Sequence, residues 1–176
     1  TGRFMSQSSL AREHESKGGL PWRLAGLVVF FCGAAMRWRG LSRFPFEQDE
    51  LYTLRESQEL FNTSLRPGID ARPLYYLLHH ALTPVLPSGE LGARLPAFFF
   101  GLLGLYVTWR LGRYLAGEAG GFVALTAAVF SPWHVFVSGE ARYWSTIYLL
   151  AVSALYMLLL GRETDRWRPH LAAGVL

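Results

Sequence analysis

The chain has a single cysteine, a single lysine and few charges outside short clusters. Cys32 lies inside an apolar run, which excludes an internal disulfide framework and a cysteine-based metal site. Lys17 is the only lysine among 17 basic residues, so positive charge is carried almost wholly by guanidinium groups, whose forked geometry suits carboxylate and phosphate. Internal repeats are absent, and no low-complexity segment follows the N-terminal tail. A removable leader is the competing account of the first apolar run, and a membrane anchor is the expected one. That run outlasts the core of about 7–15 residues found in such leaders, and Arg37-Trp38-Arg39 follows it where a small-x-small cleavage site would stand.

What is abundant is apolar surface. The 176 residues are 51% hydrophobic and 15% aromatic, with a mean hydropathy of +0.20. The apolar residues come in blocks: Leu20 to Met36, Leu95 to Leu111, Ala119 to Val137, Ile147 to Leu160, and a start at Leu171 to Leu176. Each complete block approaches the ~20 helical residues that cross a hydrocarbon core of roughly 30 Å. The pattern predicts an all-α, polytopic transmembrane helix bundle. Its spans fall at about 20–38, 93–113, 119–137 and 142–160, with an unfinished one from 169, so further residues are expected beyond Leu176. Residues 1–19, Ser-rich and without apolar periodicity, are expected to form a disordered cytoplasmic tail.

The net charge of +4 matters less than its distribution. Arg3, Arg12, Lys17 and Arg23 flank the first span, Arg110 and Arg113 close the second, and Arg162, Arg166 and Arg168 follow the fourth. The pattern points to membrane lipids, not nucleic acid, as surroundings, and the positive-inside rule predicts that these ends are cytoplasmic. The segment 39–92 and the turn near 131–142 then face outside. Segment 39–92 holds seven of the 13 carboxylates, and a polar loop of this length inside a membrane domain is expected to be functional.

Two short amphipathic helices are expected in that loop, lying along the membrane surface. The first starts near Glu47 and carries Leu51, Leu54, Leu60 and Phe61 on one face, before Arg66-Pro67-Gly68 breaks it. The second carries Leu74, Leu77, Leu78, Ala81 and Leu82 at the spacing of an apolar stripe, with Asp70 placed to cap it and Pro73 in its first turn.

Asp49 and Glu50 stand where the chain leaves the first span. Adjacent carboxylates on a helix point about 100° apart, so they serve separate roles and do not form a dyad; either also suits a helix first turn. Asp70-Ala-Arg72-Pro73-Leu-Tyr-Tyr joins an acid, a cation and an aromatic face. His79 and His80 diverge on a helix and offer at most a lone metal ligand. Arg94 opens the second span, and Glu140-Ala-Arg142-Tyr143-Trp144 opens the fourth, both at the outer surface. Such arginines either snorkel to headgroups or grip phosphate. Ser131-Pro132 ends or kinks the third span, and Trp133 and Trp144 fit an interfacial belt.

Taken in order, Asp49-Glu50, Asp70-Ala-Arg-Pro-Leu-Tyr-Tyr-Leu-Leu-His, Gly92-Ala-Arg94-Leu-Pro, Ser131-Pro-Trp-His-Val and Glu140-Ala-Arg142-Tyr143 resemble glycosyltransferase family 39. This is the protein-mannosyltransferase and aminoarabinose-transferase type with the GT-C membrane fold. Many bacterial relatives carry two prolines where this chain has Arg72-Pro73. The resemblance implies transfer of a sugar, with inversion, from a polyprenyl-phosphate-linked monosaccharide to a lipid, glycan or protein hydroxyl at the outer face of a bacterial plasma membrane. It implies Asp49 as catalytic base, with Glu50 holding the loop or the acceptor. Arg94 and Arg142 would then stabilise the leaving phosphate, with Arg72 as a third cation, and Asp70, Glu140 and Tyr143 would line the substrate site. No cofactor and no metal ligand are predicted, although some relatives place a divalent ion near the phosphate. The competing classes are a transporter-like or assembly subunit without catalysis and a polymerase or ligase using a lipid diphosphate. The Asp-Glu pair after the first span argues against the assembly subunit and the polymerase or ligase, and the long outside loop against the transporter.

Overall fold

The computed structural model describes the backbone of residues 7–59 and 73–164 and the side chains of residues 19–59 and 73–162. Among the described residues six α-helices follow in order: α1 (Gln7–Trp38), α2 (Gln48–Gln58), α3 (Pro73–Leu82), α4 (Glu90–Val129), α5 (Pro132–Val137) and α6 (Trp144–Thr164), with one 3-10 turn at Thr83–Val85. No strand occurs among the described residues. Three helices are long and apolar enough to cross a membrane: Gly19–Trp38 within α1, α4, and Trp144–Arg162 within α6. The protein is an all-α, polytopic membrane bundle.

Helix α1 begins at Gln7, inside the segment expected to be an unstructured tail. Arg12, Glu13, Glu15 and Lys17 in its early turns are ordinary helix formers, and the helix runs on through Gly18, Gly19 and Pro21, the residues that oppose it most. Helix α4 contains the second expected span and the first part of the third, which breaks after Val129 and continues in α5. As a straight rod its 40 residues would reach about 60 Å, twice the hydrocarbon core. Instead Ala116 (φ −144°, ψ 25°) and Gly117 (φ 69°, ψ −166°) leave the helical region, and the chain doubles back. Leu105 therefore shares a buried cluster with Leu125 and Val129, although on a straight helix Leu105 and Leu125 would lie about 30 Å apart. Glycine is needed at 117 for its positive φ. It is needed at 112 for space, because a Cβ there would come within 2.8 Å of the Gly120 carbonyl oxygen.

The two arms, 90–115 and 118–129, run back along one another. The second ends at Phe130 and Ser131, because Pro132 has no N–H to continue the ladder. The chain restarts there as α5, with Pro132 in the first turn and the Ser131 hydroxyl accepting from the His134 amide. Ser131-Pro132 thus ends the helix, one of its two expected effects. The fifth span from 169 lies outside the described residues.

Helix α4 is the centre of the bundle, with α1 packed on one side and α6 on the other. Half of its apolar window is buried, against 17% for α1 and α6. Val28 and Phe31 on α1 and Leu155 on α6 are correspondingly exposed, as lipid-facing residues should be. The same logic turns over the expected faces of the two loop helices. In α2 the buried residues are Glu50, Thr53 and Ser57, while Leu51 is half-exposed. In α3 they are Tyr75, Tyr76 and His79, while Leu74 and Leu77 are exposed. Leu51, Leu74 and Leu77 instead face away from the protein, as suits the lipid side of a surface helix; Leu60 and Phe61 lie outside the described residues. The polar and aromatic flanks turn inwards, where Glu50 and His79 find hydrogen-bond partners and Tyr75 and Tyr76 pack with Tyr143.

One end of the bundle therefore carries the 39–89 connection and the turn from α5 to α6. The other carries the 116–117 reversal, the start of the α1 span and the end of α6.

Candidate active site

The site is built on Glu50. It is the third residue of α2, and its Oε2 accepts from the Glu47 amide at 3.0 Å, closing the return half of a capping box. The same carboxylate takes a forked pair from Arg94, Nε to Oε1 at 2.8 Å and Nη2 to Oε2 at 2.6 Å, and its Oε1 also accepts from the Ala141 amide at 2.6 Å. Glu50 has no exposed surface. Burial by itself raises its carboxyl, but the bonds from Arg94, Ala141 and Glu47 together with the Arg94 charge outweigh that and hold it below the ordinary value.

Arg94 is saturated in turn. Its remaining protons go to the carbonyls of Leu41 and Phe44, both at 2.8 Å, and of Pro45 at 3.1 Å, and its plane lies over Phe46. All five donors of a guanidinium are thereby used. This one buried pair ties together the exit from α1, the start of α2, the start of α4 and the turn before α6.

Asp49 precedes Glu50 and points elsewhere, as adjacent positions on a helix require. Its carboxylate is more than half exposed and pairs with Arg142 Nη1. The turn carrying Arg142 is clamped to Glu50 through Ala141, so the hub that fixes Asp49 also fixes its partner. Arg142 lies over the Tyr143 ring, and its buried Nε has no hydrogen-bond partner. Tyr143 is itself buried, in one cluster with Tyr75 and Tyr76 of α3.

Glu140, also nearly buried, is the most perturbed carboxyl here. Burial first, then the nearby carboxylates of Glu47 and Glu50, push it up to about 7, with Arg142 pulling the other way. It lines a cavity of about 200 Å³ with Arg37, Glu47, Glu50 and Arg94.

Of the expected site residues, the structure brings Asp49, Glu50, Arg94, Glu140, Arg142 and Tyr143 to one end of the bundle. Asp70 and Arg72 lie outside the described residues. Asp49 and Arg142 stand beside the cavity without lining it. Both ring nitrogens of His79 are engaged, Nδ1 with the Ser57 hydroxyl at 3.1 Å and Nε2 with the Ala93 carbonyl at 3.3 Å. Burial lowers its pKa, so it is a neutral core histidine with Nε2 protonated. Among the described residues no group of three or more His, Cys, Asp or Glu is placed to hold a metal ion.

Arg37 is the residue that sequence reasoning missed. It is buried at the end of α1, and its Nη2 donates to the Val129 carbonyl at 3.0 Å, with Ala128 at 3.5 Å and His134 Nδ1 at 3.0 Å also within reach. Nη1 donates to the Gly33 carbonyl at 3.1 Å. The break at Ser131-Pro132 leaves the last carbonyls of the second arm without helical partners, and a long cation from α1 supplies the protons. The signal was present: an arginine at the end of one apolar run and a proline breaking another.

Residues 67–176, more than half of the chain, match the family model of dolichyl-phosphate-mannose-protein mannosyltransferases. The chain belongs to that family. No curated protein and no solved structure matches it. The protein is thus a membrane glycosyltransferase of the mannosyltransferase type, in agreement with the resemblance read from its motifs. The part matched to the mannosyltransferase family contains Arg94, Glu140, Arg142 and Tyr143 and stops short of Asp49 and Glu50. Those two carboxylates join the site through the bonds of Arg94 and Arg142, both within the matched part.

Proposed function

We propose that the protein moves a sugar from a polyprenyl-phosphate-linked monosaccharide to an acceptor hydroxyl on the membrane face that carries Asp49, the outer face by the positive-inside rule. The carrying observation is the Asp49–Arg142 pair, an exposed carboxylate held against a cation by a rigid buried hub. In the reaction the acceptor oxygen attacks the anomeric carbon from the side opposite the phosphate. The C–O bond to phosphate breaks with inversion, and the hydroxyl proton passes to a carboxylate. Asp49 is that base, a carboxylate held beside the hub and exposed enough to take an acceptor. Arg142 stabilises the negative charge growing on the departing phosphate. The ion pair between them is the substrate-free arrangement: a donor phosphate competes for Arg142 and in doing so releases Asp49 to the acceptor.

Arg94 acts here as a positioning residue, because no proton of its guanidinium is left for phosphate. Glu50 holds the loop. Glu140, ionising near neutrality at the cavity wall, engages a sugar or acceptor hydroxyl, and Tyr143 with the α3 tyrosines forms the aromatic wall. Asp70 and Arg72 remain candidates for the donor side. The protein in native membranes, offered radiolabelled sugars on polyprenyl phosphate and on nucleotide diphosphate, is expected to transfer only from the lipid-linked donors and to give a product of inverted anomeric configuration. Transfer from none of them by folded protein would favour the non-catalytic reading.

A further inference from the structure

A cavity of about 760 Å³ lies at the end of the bundle away from Asp49. Its walls are the start of the α1 span, the 116–117 reversal of α4 and the far end of α6. Among the described residues three guanidinium groups border it, Arg23, Arg110 and Arg113, against one carboxylate, Glu118. Glu118 Oε1 serves both Arg23, at 2.7 Å, and Arg113, at 2.6 Å, so one negative charge is shared between two cations. Arg110 has no carboxylate within ion-pair distance among the described residues. Its contacts are the hydroxyls of Tyr106 at 3.1 Å and Tyr156 at 3.4 Å, and both can stay as a fixed frame while the guanidinium receives an anion. Glycine at 117 leaves the floor open, with nothing within 4 Å of where a Cβ would stand, and Trp22 and Tyr156 mark the depth of lipid headgroups.

A wide basic cleft between membrane helices, aromatic at its rim and positioned at headgroup level, has the chemistry of an anionic-headgroup site. We propose that it binds a phosphate group carried by a membrane lipid of the leaflet opposite the Asp49 site, with Arg110 as the principal contact and Arg23 and Arg113 as flanking charges. This site is separate from the transfer site and does not depend on which sugar or acceptor is used there. By the positive-inside reading, the leaflet is the cytoplasmic one.

The test is lipid retention by the whole protein in nanodiscs, with phosphatidylglycerol exchanged against phosphatidylcholine. A parallel titration with inorganic phosphate in detergent separates a lipid headgroup from free phosphate as the source of the anion. Wild type is expected to retain phosphatidylglycerol in a salt-sensitive manner. Arg110→Gln should weaken retention roughly fivefold and Arg110→Lys by much less. Neither change touches the Arg23–Glu118–Arg113 network, so neither should unfold the protein, which an unchanged melting temperature would verify. Displacement of the lipid by inorganic phosphate at comparable concentration would support the anion site and assign it to free phosphate. Equal retention of the two lipids by wild type, or unchanged retention in folded Arg110→Gln, would overturn the proposal.

Discussion

Replacing Arg94 by methionine separates a brace from a substrate ligand. The side chain is buried, all of its protons are bonded, and among the described residues it is the only cation paired with Glu50, which has no exposure of its own. Its loss leaves a carboxylate buried without a counter-charge, a change that typically costs roughly 3–5 kcal/mol, and releases the carbonyls of Leu41, Phe44 and Pro45. For a chain of this size the melting temperature should fall on the order of 10 °C, whereas Arg39→Met, at an exposed position, should melt with the wild type. The double change Glu50→Leu with Arg94→Met should recover part of the loss, because no unpaired charge then remains. The assay is thermal unfolding in detergent, followed by donor titration of whatever folded variant survives. If Arg94→Met melted like the wild type and only raised KM for the donor, Arg94 would be a phosphate ligand and the structural reasoning would be refuted.

Arg37→Met should destabilise by about 2–3 kcal/mol, since it strands the Val129 carbonyl in an apolar setting and leaves His134 Nδ1 with the Ser138 hydroxyl alone; thermal melts of Arg37→Met beside Arg37→Lys would check this, the lysine variant recovering only part. Glu140 gives a pH-dependent prediction. Its folded value near 7 lies above the ordinary 4.5, so its contribution to stability is present below pH 4.5 and is lost as pH rises towards 7, by up to ~3 kcal/mol. Glu140→Gln should therefore melt close to wild type at pH 5 and above it at pH 8. A constant difference between the two across that range would count against a protonated Glu140.

The spans were legible because bilayer thickness imposes a length, and the runs at 20, 95 and 147 carry it openly. The reversal at Ala116-Gly117 was implied by Arg110 and Arg113, charges that end a pass. The inward faces of α2 and α3 were not legible. Apolar periodicity tells which side of a helix avoids water, and at a membrane boundary that side meets lipid, so Leu51, Leu74 and Leu77 stay outside while Glu50, Tyr75 and His79 turn in. The motif positions Asp49, Arg94 and Arg142 were visible, but their division of labour was not. Arg94 and Arg142 look alike as arginines at span mouths. Only the folded chain shows that Arg94 meets Glu50 across 44 residues and is spent on loop carbonyls, while Arg142 is left against Asp49 with an unpartnered Nε. Arg37 escaped notice for a related reason: its partners are backbone carbonyls, which carry no residue-type signature.

The central claim rests on Asp49 as the base, and sugar transfer by wild type and Asp49→Asn in native membranes tests it most directly. The account predicts that the Asn variant folds and inserts as the wild type does, since Asp49 is exposed and outside the Glu50–Arg94 hub, yet loses transfer by a factor of about 10² or more. Transfer at the wild-type rate by the folded Asn variant would contradict it and move the search for the base to Glu140.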